Sequence, residues 1–76
     1  MNQLITISPN IQSGEPVFTG TRVPVKNLFD YLSEGDHIET FLKDFPSVTK
    51  EHALAVLELA GKIVTLSLSG EHESVN

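Results

Sequence analysis

The hydrophobic positions change their period along this chain, and each change marks an element. Leu4-Ile5-Thr6-Ile7 is a short β-type run that Ser8-Pro9-Asn10 brings to an end. From Val17 onward every second residue (Val17, Thr19, Thr21, Val23, Val25) is branched at Cβ, with Phe18 on the other face. That is the pattern of a pleated ribbon. Gly14 and Gly20 accept positive φ without steric cost, while Pro16 and Pro24 hold Glu15 and Val23 extended. The segment therefore reads as strand, tight turn, strand, then helix. Its strands pair within the chain or across a dimer.

Beyond Pro24 the spacing becomes helical. A first helix from Lys26 to Glu34 shows Leu28, Phe29 and Leu32 on one face and stops at Gly35. Asp36 is the expected N-cap of a second helix carrying Ile38, Phe41 and Leu42, with Glu39 at the capping-box position, and Phe45-Pro46 ends it. The Thr49 hydroxyl is placed to cap a third, longer helix with Glu51 and His52 in its first turn. The expected fold is mainly α: a trihelical, helix-turn-helix-like plan with a short N-terminal β ribbon.

On an ideal third helix Glu58, Gly61, Lys62 and Thr65 gather in about a third of the circumference. Ala53, Leu54, Val56, Leu57, Leu59, Ala60, Ile63 and Val64 fill an apolar arc broader than one side of a small bundle requires, which predicts a homodimer. From Ile63 the period falls to two, with Val64, Leu66 and Leu68 alternating with Thr65, Ser67 and Ser69. The expected division is one domain over 1–63 (ribbon about 4–25, helices about 25–63) and a tail over 64–76. The tail reads as either helix or strand; as a strand, Val64, Leu66 and Leu68 would contact the sheet edge of a partner protein.

Composition narrows the classes of function. Seventy-six residues make one domain that buries a modest share of its surface, and the absence of cysteine removes disulfide and thiolate-zinc staples, so a subunit interface is the expected substitute. Met1-Asn2-Gln3-Leu4 has no basic leader and no window reaches membrane-span length, so the expected location is cytoplasmic, with no membrane partner. A net charge of −5 repels phosphate backbones and suits a basic protein surface.

No catalytic constellation emerges. His37, His52 and His72 are far apart in sequence and no metal-ligand spacing occurs, so neither an enzyme nor a metal, cofactor or small-molecule site is expected. Arg22, the single arginine, reads first as a structural partner for an acid or for turn carbonyls, and second as a phosphate or protein contact. If DNA is bound, Thr49, Lys50 and His52 at the start of the third helix would face it, with Lys26 and Lys43 on phosphates; the glutamates of that helix make such binding weak. The same trihelical unit also reads as a packing scaffold only.

The motif Gly14-x-Pro16-x-x-x-Gly20-Thr21-Arg22-x-Pro24-Val25, the Gly between two short helices, the close at Asp44-Phe45-Pro46 and Thr49 opening a third helix together resemble the DUF433 family, from about Ile5 to Gly61. Members are small bacterial and archaeal proteins similar in fold to homeodomain-like helix-turn-helix domains, and many are taken to be antitoxins encoded beside a PIN-like ribonuclease toxin. The resemblance implies an antitoxin of a type II toxin–antitoxin pair that binds such a toxin and touches its own operator. In that picture the third helix and ribbon build the dimer, Val64 to Leu68 cover the toxin, and Glu71 and Glu73 compete for cations in its cleft. The alternatives are a stand-alone DNA-binding regulator and a structural dimeric interaction module.

Overall fold

Pairing of the N-terminal strands takes place within one chain. In the computed structural model, which describes the backbone of residues 3–75 and the side chains of 3–68, β1 (Ile5–Thr6) runs antiparallel to β2 (Val17–Phe18), with Ile5 opposite Phe18 and Thr6 opposite Val17. The hydroxyls of Thr6 and Thr19 meet at 2.7 Å across the ribbon. Val17 and Phe18 are both fully buried, so the ribbon has no solvent face at this point and the strict inside-outside alternation predicted for it does not hold.

The Gly-Thr-Arg-x-Pro segment turns the chain back on itself. Gly20 takes φ +86° at the third position of a tight turn closed by Thr21 N–H to Phe18 O at 2.9 Å. The Thr21 hydroxyl donates to the same carbonyl at 2.8 Å and accepts from Val23 N–H at 3.0 Å, which locks the turn. The returning strand is reduced to a single bridge between Val17 and Pro24. Pro24 (φ −63°, ψ 136°) then serves as N-cap of α1 (Val25–Ser33), so Val25 belongs to the helix and not to the ribbon.

Gly35 (φ +90°) stops α1. Gly35 N–H bonds to Leu32 O at 3.1 Å and Asp36 N–H to Tyr31 O at 3.0 Å, the paired bonds of a Schellman ending. This corrects the expected role of Asp36. Its backbone completes the end of α1, so His37 becomes the N-cap residue of α2 (Ile38–Asp44) and no side chain caps that helix. Thr49 does cap α3 (Lys50–Val75): its hydroxyl accepts the His52 N–H at 3.1 Å.

The mainly α plan of three helices and a short ribbon is thus the observed one. Phe18, Leu28, Phe41 and Ala53 are fully buried, one from each of the ribbon and the three helices. Phe41 lies at the centre of an aromatic cluster, with ring centroids 5.9 Å from Phe18, 5.6 Å from Tyr31 and 5.1 Å from Phe45.

The period-two stretch does not form a strand. α3 continues through it to Val75, because extending a helix already nucleated by Ala53 to Ala60 costs no new nucleation. At 1.5 Å per residue its 26 residues make a rod of about 39 Å, longer than the rest of the domain can cover. No described helix is long and apolar enough to cross a membrane.

Candidate functional site

The surface that stands out is the far half of α3. Every residue from Gly61 to Leu68 is exposed, and four of them are large and apolar: Ile63 (56 % exposed), Val64 (55 %), Leu66 (72 %) and Leu68 (56 %). The fully buried positions of the helix end with Ala53 and Val56, partial cover continues over Leu57, Leu59 and Ala60, and from Gly61 on it is gone. The helix leaves the domain as an arm.

His52 anchors the root of that arm. Its Nε2 lies 2.8 Å from the carbonyl oxygen of Leu4, which can only accept, so Nε2 carries the proton. The same carbonyl receives Thr19 N–H at 3.1 Å, and the imidazole meets the Phe18 ring edge-on at 5.2 Å. His52 therefore joins the start of β1 to the first turn of α3. Beside this latch lies a groove of about 190 Å³ lined by Leu4, Ala55, Glu58, Leu59 and Lys62.

The residues proposed for DNA are dispersed in role. The His52 ring points into the fold and the Thr49 hydroxyl is used in capping. Lys26 pairs with Asp30 at 2.7 Å, a contact that raises its pKa, and Lys50 lies 3.5 Å from Glu39. Lys43, exposed in the last turn of α2, has no ion pair among the described residues. The Glu39 carboxyl is held below its ordinary value first by backbone hydrogen bonding in the first turn of α2 and then by Lys50.

Arg22 is exposed, with no ion pair or side-chain hydrogen bond among the described residues, so the structural partner expected for it within the chain is not there. Gly20 and Thr21 form the turn described above, Pro24 opens α1, and the Pro16 carbonyl accepts the Val25 N–H at 2.9 Å. Gly14 ends a left-handed stretch in which Gln12 (φ 50°) and Ser13 (φ 57°) also have positive φ, a feature the sequence signals only through Gly14.

Val64, Leu66 and Leu68 do share one element, but as a helix they cannot add to a sheet, since their backbone groups are bonded along the rod. Steps of two residues turn by about 200°, so Val64 and Leu68 share one side and Leu66 faces the other. Glu71 and Glu73 have side chains outside the described residues. Sequence reasoning missed the His52–Leu4 latch and the hydrogen bond from Tyr31 Oη to Asp44, because both join residues with no helical or strand spacing between them. Among the described residues no group of three or more acidic or histidine side chains is placed to hold a metal.

Comparison with known proteins agrees with this architecture. The chain is 39 % identical over 49 residues to uncharacterized protein y4eO of Sinorhizobium fredii (strain NBRC 101917 / NGR234); the match covers 64 % of this chain but 22 % of that relative. Its structure resembles the crystal structure of a DUF433 member protein from Anabaena variabilis ATCC 29413, with a TM-score of 0.66 at 27 % identity, over 78 % of this chain and 58 % of the other. A family model described as a protein of unknown function (DUF433) matches residues 5–60, the ribbon, the first two helices and the start of α3 but not its projecting end, and the chain belongs to that family.

Proposed function

We propose that this protein is an antitoxin-like binding module that acts in the cytoplasm, holding a PIN-like ribonuclease through the projecting end of α3. The observation that carries this reading is the arm itself: two turns of helix with Ile63, Val64, Leu66 and Leu68 all more than half exposed. Such a surface on so small a domain is costly to leave in water and is what a protein partner covers. The net charge of −5 adds long-range attraction to the basic cleft of an RNA-cleaving enzyme. Inhibition is then by occlusion, with no chemical step.

Operator binding is the weaker part of the reading. Of the three lysines proposed to meet DNA, Lys26 and Lys50 already have carboxylate partners, and the acidic chain disfavours DNA.

The test is an RNA-cleavage assay with the nuclease encoded beside this chain. Stoichiometric addition of the chain is expected to suppress cleavage. Leu66→Glu is expected to weaken that inhibition by about tenfold or more, as loss of a central apolar anchor does. Undiminished cleavage in excess wild-type chain would contradict the proposal.

A further inference from the structure

A second pattern lies along the same arm. Leu54, Leu57, Gly61, Val64 and Leu68 are spaced by three, four, three and four residues, the heptad seam along which one helix packs against another. The seam is distinct from the core stripe of Ala53 and Val56. Leu54 (47 % exposed), Val64 (55 %) and Leu68 (56 %) stand in water, and Leu57 packs in part against the core, joining seam to domain. Leu66 lies on the opposite side of the helix.

Gly61 at the middle of this seam has no explanation within the fold. A Cβ added there would meet nothing within 4 Å, so the domain does not require glycine, while a glycine inside a helix is less stable than alanine. A small residue at a seam position admits a bulky side chain from a facing helix.

We propose that a second copy of this chain packs on this seam as an antiparallel helix pair, Gly61 receiving Val64 of the partner subunit and Leu57 facing Leu68 of the partner subunit. By two-fold symmetry each of these layers occurs twice, giving four apolar layers. The antiparallel sense follows from volume. A parallel, in-register pair sets Gly61 against Gly61 and leaves a gap in the middle of the seam, whereas the antiparallel register fills each glycine position with a β-branched side chain. In this register Glu58 comes beside the neutral Thr65 of the partner subunit, and Leu54, which falls opposite Glu71 of the partner subunit, lies outside the four apolar layers.

The proposal rests on the same view of α3 as an interaction arm and shares Val64 and Leu68 with it, while Leu66, on the opposite side of the helix, lies outside the seam and lets the two be tested apart. Light scattering at micromolar concentration is expected to give the mass of two chains. Leu68→Glu, at a position exposed in the single chain, is expected to weaken dimerisation by about tenfold or more with far-UV circular dichroism unchanged. Leu66→Glu is expected to leave the dimer intact while reducing nuclease inhibition. A monomeric wild-type chain, or a dimer indifferent to Leu68→Glu, would overturn the proposal.

Orientation is read by cross-linking, since the chain has no cysteine of its own. A mixture of Leu57→Cys and Leu68→Cys chains is expected to form a mixed disulfide that neither variant forms alone, because like positions lie about 16 Å apart along the antiparallel pair. Disulfides between two Leu68→Cys chains would establish the parallel arrangement and overturn this one.

Discussion

At the scale of single residues, the fold depends on groups that do more than their positions in the sequence suggest. His52 is the clearest: one imidazole bonds the Leu4 carbonyl, meets Phe18 edge-on and ties strand to helix. His52→Ala leaves that carbonyl with the Thr19 N–H alone and opens a gap beside Phe18. Urea denaturation is expected to show a loss of about 1–3 kcal/mol. Glu39 supplies a pH signature. Its folded pKa lies below the ordinary 4.5, so the stability it contributes is present above that value and is lost as pH falls through the depressed one. The Glu39 carboxyl resonance is expected to titrate below 4.5 in the native protein, and Glu39→Gln is expected to flatten the acid limb of the stability curve. Neither role was legible in the sequence: the histidine's partner lies 48 residues away, and Lys50 reaches Glu39 across a turn.

At the scale of elements, local signals located the three helices and the ribbon well, because each rests on chemistry confined to a few residues. Pro24 opens α1, Gly35 closes it and Thr49 caps α3, each by backbone or hydroxyl geometry. Two competing local signals were resolved by geometry that the pattern does not reveal. Asp36 is an N-cap by type, yet the Schellman ending of α1 uses its backbone first. Thr49→Ala is therefore expected to cost about 1 kcal/mol and Asp36→Ala less than about 0.5 kcal/mol, measured by thermal or urea unfolding. The alternating leucines of the C-terminal segment suit a strand by period, but a helix arriving from Lys50 extends at lower cost than a new strand forms alone.

At the scale of the whole molecule, a small ribbon and three-helix core carries a rod that outruns it. The core is anchored on Phe18 and Phe41, and its full cover of α3 ends near Val56, while α3 runs on to Val75. The excess apolar arc on the third helix was visible in the sequence. Its separation into two faces was not, because which apolar positions a domain covers depends on where the helix leaves it. In the function proposed above, the acidic balance and the exposed leucines act together, as a scaffold that holds an arm out to a protein partner. The most direct test is to co-express the chain with the nuclease encoded beside it, purify by affinity, and measure mass by light scattering. The account predicts a single complex of defined stoichiometry that Leu66→Glu disrupts. A chain that elutes without the nuclease, whether as one copy or as a homodimer, would contradict it.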